Sequence, residues 1–283
     1  MLYVISYAKG QPFEKYQVVN ARTAKFVGRG DRVIPYSSGD IPEEYKKKHN
    51  DIFKYERGAG LWLWKPYLVN RTLDVMHDGD WLLYVDCASF FIRSIKPIIR
   101  FAKKKKLDIV LFGLPLLNRQ FCKRECFVSL GLEDTGENQA VASFFLVKKT
   151  ERTVSIMHEW LSWCEREDLI SPNHFYDNIL EFPDYCSHRE DQSLLSLIAI
   201  KYNIPLNKDC SNYGEFPYDY LGSKQYEYTP PNYETVSYGV TIIQHRNNNP
   251  YKFFKWYVKK RIMRFLFNKY SEKEALKNVY GRL

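Results

Sequence analysis

Between residues 2 and 202 the chain alternates short apolar runs with longer stretches of helical period, and this alternation limits its fold more than any other feature. The strand-like runs are residues 2–7, 81–85, 108–114 and 139–148, and the helical stretches are 60–77, 94–105, 151–167 and 189–202. Strands that alternate with helices pack as an α/β layer fold around a mainly parallel sheet. We therefore predict a Rossmann-like α/β domain with helices flanking the sheet, then an irregular stretch at 207–238 and a last strand at 240–244.

Length and composition exclude several classes of protein. The chain has 283 residues, 45% of them hydrophobic, which is enough for a substantial core and unlike a disordered protein. It contains no apolar run of about 18 residues and no signal-peptide pattern at its start, so we expect it in the cytoplasm. Six irregularly spaced cysteines indicate reduced thiols, because Cys122 and Cys126 have no second Cys or His pair at zinc-finger distance.

Asp86 is the first candidate for a functional residue. It follows the apolar run 81–85 and precedes the small residues Cys87, Ala88 and Ser89. In open α/β sheets, ligands bind beyond the carboxyl ends of the strands, so Asp86 is predicted to face a ligand. The alternative is that Asp86 caps the next helix or a turn.

A second candidate is the acidic start of the helix predicted at 189–202. The run is His188-Arg189-Glu190-Asp191-Gln192. Carboxylates are stabilised at a helix N-terminus, and one of them can serve as a base. The alternative is an ordinary acidic first turn with no further role.

Two further segments carry groups suited to a phosphate ligand. In the segment 57–66, Gly58 and Gly60 let the backbone approach an anion, and Trp62 or Trp64 can stack on a base, unless both are core residues. At the end of the last predicted strand, His245 is a candidate metal ligand and Arg246 a phosphate partner. The alternative for His245 is an ordinary surface histidine.

Taken together, these segments resemble a known family. The sequences GAGLWLWKP, GDWLLYVD, ASFFLVKKT, EWLSWCE and HREDQSLLSL occur in this order, and the chain is similar over residues 1–205 to bacterial polysaccharide glycosyltransferases of the GT-A type. The resemblance implies a GT-A fold and a nucleotide-sugar donor, with UDP-sugars favoured. It implies transfer of the sugar to a glycan of the capsule or lipopolysaccharide, expected to be lipid-linked.

The resemblance also implies roles for individual residues. Asp86 matches the first Asp of the family's DxD motif, which holds a divalent cation, but Ala88 stands at the second acidic position. The expected protein ligands of a divalent cation (manganese or magnesium) are therefore Asp86 and His245. Alternatively, no metal is used, and Lys65, Arg57 or Arg246 neutralises the diphosphate. Asp191 and Glu190 are the catalytic candidates, and Asp191 matches the Asp of the family's acidic motif beside the acceptor, which takes the acceptor proton in an inverting enzyme. His188 and Gln192 are assigned to the acceptor, and the donor is assigned to Tyr7, Arg57, Gly58, Gly60, Trp62, Lys65, Asp86, Ala88 and Arg246.

The C-terminal segment has a composition of its own. Residues 251–270 combine Lys and Arg with aromatic side chains and include no acid. We predict a transferase domain at 1–248 and a basic amphipathic helical segment at 249–283 that lies on the anionic inner face of the cytoplasmic membrane. The alternative is a helix that packs its aromatic side on the domain.

The formal net charge of +9 raises the question of nucleic acid as a partner. The basic residues form separate clusters and no single stripe, so we expect no nucleic-acid partner. The competing interpretation is a noncatalytic protein that binds nucleic acid or a membrane surface through its C-terminal segment. A nucleotidyltransferase would need more acidic metal ligands than the sequence offers.

Overall fold

A computed structural model describes residues 1–222, 229, 231, 233, 236–246 and 248–269 of the chain. Nine strands are assigned in this part of the chain: β1 Leu2–Tyr7, β2 Arg32–Tyr36, β3 Trp81–Val85, β4 Ser89–Phe91, β5 Ile109–Leu117, β6 Asn138–Ala140, β7 Phe144–Lys148, β8 Leu206–Asn207 and β9 Ile242–Gln244. Seven of them form the central sheet, while β4 and β9 make a separate antiparallel ribbon.

The central sheet has the order β2-β1-β3-β7-β5-β6, and β8 also pairs with β5. Strands β1, β2, β3, β5 and β8 run in one direction, whereas β6 and β7 run in the other. The predicted α/β class with a mainly parallel sheet is therefore confirmed. Because β1 and β3 are parallel neighbours, Tyr7 at the end of β1 and Asp86 just after β3 lie at the same edge of the sheet.

Helices connect and cover these strands. They are α1 Phe13–Phe26, α2 Glu43–Lys48, α3 Asn50–Phe53, α4 Gly58–Leu61, α5 Trp64–Val75, α6 Lys96–Lys105, α7 Asn118–Phe121, α8 Arg124–Leu130, α9 Glu151–Cys164, α10 Glu167–Ile170, α11 Glu190–Lys201, α12 Asn212–Glu215 and α13 Pro250–Phe267, with 3-10 turns at Ser38–Asp40 and Pro217–Gly222. The helix predicted in the C-terminal segment is confirmed as α13. Its division from residues 1–248 as a separate unit stays a prediction.

Strands β1, β3 and β5 are buried along their whole length because both faces of the sheet are covered. Ile5, Tyr84 and Phe145 belong to the core on one face, and their neighbours Val4 and Leu83 belong to the core on the other. Successive side chains of a strand point to opposite faces, so burial on both sides removes the polar alternation of a half-exposed strand.

Four predictions differ most from the structure, and the remaining boundaries shift by up to three residues, as where α9 ends at Cys164 and β9 begins at Ile242. The strand expected to stop at Pro115 continues to Leu117, with an irregular register against β6 that accommodates a residue lacking an N–H. The strand expected at 139–148 is two strands, β6 and β7. The helix expected from residue 60 begins regularly only at Trp64. The stretch 207–238, expected to be irregular, includes α12 and a 3-10 turn among its described residues.

Candidate active site

Three charged side chains from different parts of the sequence meet at the carboxyl edge of the sheet. Lys65 comes from the first turn of α5, Asp86 follows β3, and Asp191 lies in the first turn of α11. The Lys65 Nζ lies 2.6 Å from Asp191 Oδ2 and 3.9 Å from Asp86 Oδ1, and it donates a hydrogen bond of 3.1 Å to the carbonyl of Ala142. We call this arrangement the Asp86–Lys65–Asp191 cluster.

Burial sets the electrostatics of the cluster. Lys65 and Asp191 are 3% and 4% exposed. Burial by itself would lower the pKa of Lys65, but the two carboxylates outweigh it and raise the pKa, so the ammonium stays charged. Burial raises the pKa of Asp191 to about 7, with Asp86 and Glu190 adding to the shift and Lys65 opposing it. Asp191 therefore changes its charge near neutral pH.

Asp86 is the member of the cluster that is open to a ligand, with 39% of its side chain exposed. The Tyr84 hydroxyl donates a hydrogen bond of 2.6 Å to Asp86 Oδ1, and the Asp86 backbone carbonyl accepts from Ser89 Oγ and Asn20 Nδ2. These bonds hold both the backbone and the carboxylate in place. Neither Tyr84 nor Asn20 was among the residues predicted from sequence, although Tyr84 lies two positions before Asp86 in the same strand.

Aromatic rings lie close to the Lys65 ammonium. Tyr7 stacks on Trp64 with ring centroids 4.0 Å apart, and the Lys65 ammonium lies 5.9 Å from the Trp64 ring and 5.2 Å from the Tyr84 ring. Trp64 is only 5% exposed, so it belongs to the core. Trp62 is half-buried and stays accessible for the predicted stacking on a base.

The backbone around Gly58 and Gly60 is left-handed and not the opening of a regular helix. Five consecutive residues have positive φ: Gly58 (61°), Ala59 (53°), Gly60 (98°), Leu61 (51°) and Trp62 (61°). Arg57, just before them, forms an ion pair with Glu190 (Nε to Oε1, 2.5 Å), and Glu190 itself has φ 40°. Non-glycine residues in this region are strained, and such strain concentrates at functional sites. The observation supports a functional role for the segment 57–62.

Replacing Gly58 with Ala tests whether this turn requires glycine. A Cβ at residue 58 would lie 2.3 Å from the Trp62 ring, which must move. We expect a loss of about 1–3 kcal/mol in the free energy of unfolding, measured by urea denaturation. The control is Gly79→Ala, which has a similarly positive φ (84°) and nothing within 4 Å of the new Cβ. Equal losses in the two variants would show that the contact with Trp62 has no effect.

His245 directly follows β9 of the β4–β9 ribbon and lies near the same edge of the sheet, beside Ala88. Its backbone N–H donates to the carbonyl of Ala88 (3.1 Å), as does that of Arg246 (3.2 Å). The His245 Nδ1 lies 2.7 Å from the carbonyl of Asn248, so Nδ1 carries the proton and Nε2 keeps its lone pair. Burial lowers the pKa of His245, which keeps the ring neutral. Nε2 has no hydrogen-bond partner in the part of the chain that the structure describes.

His188 has the opposite arrangement. It is 2% exposed and lies with Cys122 and Cys126, their potential ligand atoms within 4.8 Å of one another. This is the histidine that the sequence spacing of the two cysteines did not reveal. However, the Lys123 N–H donates to His188 Nδ1 (3.3 Å), so Nε2 carries the proton of the neutral ring and offers no lone pair. Burial lowers the pKa of His188 to about 3, and we interpret the three residues as a core cluster.

The remaining predicted residues lie around the cluster. Gln192, assigned to the acceptor, donates from Nε2 to Gln139 Oε1 (2.8 Å). Arg246 is exposed, with its guanidinium 4.7 Å from the Tyr213 ring. A cavity of about 550 Å³ is lined by Arg93, Asp209 and Tyr213 among others, but neither Asp86 nor Asp191 lines it.

No protein-family model matches the chain, and no curated protein matches it significantly. Among solved structures, mouse xyloside xylosyltransferase 1 in its apo form matches 88% of this chain and 99% of its own, with 13% identity and a TM-score of 0.49. The galactosyltransferase LgtC, solved with donor and acceptor sugar analogues, matches 91% of this chain and 95% of its own, with 14% identity and a TM-score of 0.45. At this distance the likeness assigns no activity to the chain.

Proposed function

We propose that the protein is a glycosyltransferase that moves a sugar from a nucleotide-sugar donor, with a UDP-sugar favoured, to a glycan acceptor. The observation that carries the proposal is the Asp86–Lys65–Asp191 cluster at the carboxyl edge of a mainly parallel sheet. Ligands bind at this edge in open α/β folds. A buried lysine paired with carboxylates adds little to the stability of a fold, so its presence at this edge favours a functional role. A lipid-linked surface polysaccharide is the acceptor that we propose.

The donor side of the site is proposed to lie around Asp86. Asp86 fits a divalent cation because its carboxylate is exposed. His245 keeps a lone pair on Nε2 because its Nδ1 faces a carbonyl, but the ring is fully buried and must become accessible before it can reach a cation. Ala88 contributes no ligand, and the Lys65 ammonium near Asp86 weakens cation binding. A bound cation would neutralise the diphosphate of the donor. Arg57 and Arg246 are exposed cations that can share this role.

The acceptor side is proposed to lie at Asp191. As the acceptor oxygen bonds to the anomeric carbon, the bond from that carbon to the diphosphate breaks, and the nucleoside diphosphate leaves with the electron pair. The acceptor hydroxyl loses its proton to the Asp191 carboxylate. A base whose pKa is raised to about 7 is suited to this transfer near neutral pH. Lys65 holds Asp191 in place through the 2.6 Å ion pair.

Thermal stability against a panel of UDP, GDP, CMP and dTDP nucleotides and sugars tests the donor site. A ligand that binds only the native state at 100 times its Kd stabilises it by about 2.7 kcal/mol, which is a rise in Tm of roughly 5–10 °C. We expect such a rise with one nucleotide family, larger when manganese is added. Asp86→Asn and His245→Gln should reduce the manganese-dependent part.

Matched controls for these two variants are available on the surface. Asp78→Asn and His158→Gln change the same residue types at exposed positions and should leave the shift intact. If no nucleotide of the panel raises the Tm, the proposed donor site is wrong. If the shift occurs with and without manganese alike, the cation has no part in donor binding.

A further inference from the structure

The C-terminal helix α13 is attached to the rest of the chain by one face. Tyr257 and Lys260 are 1% and 5% exposed, and Lys260 forms an ion pair with Asp219. Glu215 accepts a hydrogen bond from the Tyr257 hydroxyl and forms an ion pair with Arg261, with 2.9 Å between Arg261 Nε and Glu215 Oε1. These contacts fix the rotation of the helix about its axis, and therefore determine which side chains point away from the domain.

The outward face of α13 carries an apolar stripe. Four of its side chains are exposed: Tyr251 (66%), Val258 (38%), Ile262 (50%) and Phe265 (89%). They are separated by seven, four and three positions, the spacing that places residues on one side of a helix. We call them the α13 stripe. Contiguous exposed apolar side chains of this kind mark a surface for interaction.

A row of lysines runs beside the α13 stripe. The row consists of three exposed lysines, Lys252, Lys255 and Lys259. They are three and four positions apart, the spacing that places side chains next to each other on a helix surface. None of the three pairs with a carboxylate in the described part of the chain, whereas the acids Glu215 and Asp219 are engaged on the inner face. The sequence from 249 to 269 contains no acid. The outward face is thus both apolar and positively charged.

We propose that the α13 stripe and its lysine row dock the protein on an anionic phospholipid surface. Apolar side chains enter the boundary between headgroups and acyl chains, while the lysines meet the anionic headgroups. The helix is expected to lie along the surface, because its inner face stays attached to the domain through Tyr257 and Lys260. No helix of the described residues is long and apolar enough to span a membrane. A second copy of this face is a poorer partner, since it is equally basic and offers no anionic groups to the lysine row. This docking is independent of the proposed sugar transfer.

Sedimentation of the full chain with vesicles tests the docking. We expect binding to phosphatidylcholine vesicles that contain phosphatidylglycerol, weakening as salt is raised, and little binding to phosphatidylcholine alone. The triple variant Lys252→Gln, Lys255→Gln, Lys259→Gln should bind the anionic vesicles about 100-fold less well. Ile262→Glu with Phe265→Glu should also abolish binding, because it removes the apolar part of the contact.

The matched control removes the same charge from other exposed sites. Lys47→Gln, Lys103→Gln, Lys104→Gln leaves the C-terminal helix unchanged and should bind as the wild type does. Equal loss in both triple variants would overturn the proposal, since net charge alone would then explain binding. A dimer that dissociates in the Ile262→Glu variant, or binding to oligonucleotides in place of vesicles, would also overturn it. The nucleotide-induced rise in Tm should be unchanged in all these variants, so failure of docking and failure of sugar transfer are separable.

Discussion

Replacing Lys65 with Met should lower the free energy of unfolding by about 3–5 kcal/mol, the cost of breaking a buried ion pair by removing one partner. Asp191 is 4% exposed and would be left without its cation, while Asp86, which keeps 39% of its side chain in solvent, contributes less to the loss. Urea denaturation measures the difference. Transfer should be abolished as well, because both carboxylates lose the group that positions them.

The pH dependence of this loss has a definite sign. An unpaired buried carboxyl group has its pKa raised above the value in the unfolded chain, so the folded state holds the extra proton. The free energy of unfolding then falls as the pH rises from the pKa of this carboxyl group in the unfolded chain to its pKa in the folded protein. The deficit of the Lys65→Met variant should therefore be largest at pH 8 and shrink towards pH 5.

Two comparisons show whether the ion pair is the cause. Adding Asp191→Asn to Lys65→Met removes the unpaired carboxylate and should restore much of the stability. Lys260→Met removes another buried lysine, but its partner Asp219 is 28% exposed and regains water, so the loss should be smaller. An equal loss in the Lys65 and Lys260 variants, with no recovery in the double variant, would contradict the assignment of the cluster.

Replacing Asp191 with Asn should reduce the rate of sugar transfer by about 100- to 10,000-fold, the contribution typical of a positioned general base. The amide keeps the size of the side chain and an oxygen that can accept from Lys65, so the fold should persist. Release of nucleoside diphosphate, with the donor identified by the thermal panel, measures the rate. The wild-type kcat/KM should rise with pH through about 7, because Asp191 accepts a proton only when ionised.

The same assay provides the control for Asp191. Asp78→Asn changes an exposed aspartate and should leave both the rate and the pH profile unchanged. A variant Asp191→Asn that retains near-native rates would show that another group takes the acceptor proton. In that case the ion pair with Lys65 would be structural only.

Much of the fold follows from local patterns in the sequence. The strands β1, β3 and β5 and the helices α6, α9 and α11 lie where apolar runs and helical periodicity predict them. The errors occur where tertiary contacts override local preference. Gly58 and Gly60 open a left-handed turn that holds Arg57 against Glu190, and no periodicity reveals such a turn.

The candidate site could be predicted only as separate residues. Asp86 and Asp191 were recognised as carboxylates at the ends of elements, and Lys65 as a cation near glycines. Their pairing joins residues 65, 86 and 191, and no spacing in the chain encodes those distances. The states of His188 and His245 depend on which group faces each Nδ1, an N–H in one case and a carbonyl in the other.

The sequence by itself determined the α/β class, the position of the main elements and the basic, aromatic character of the C-terminal segment, because these depend on local composition and period. Only the tertiary structure decided that Lys65 lies between two carboxylates, that the Nδ1 of His245 faces a carbonyl, and which face of α13 points outward. The physical reason is that burial and electrostatic pairing depend on distances across the fold, which are set when the sheet and helices pack together.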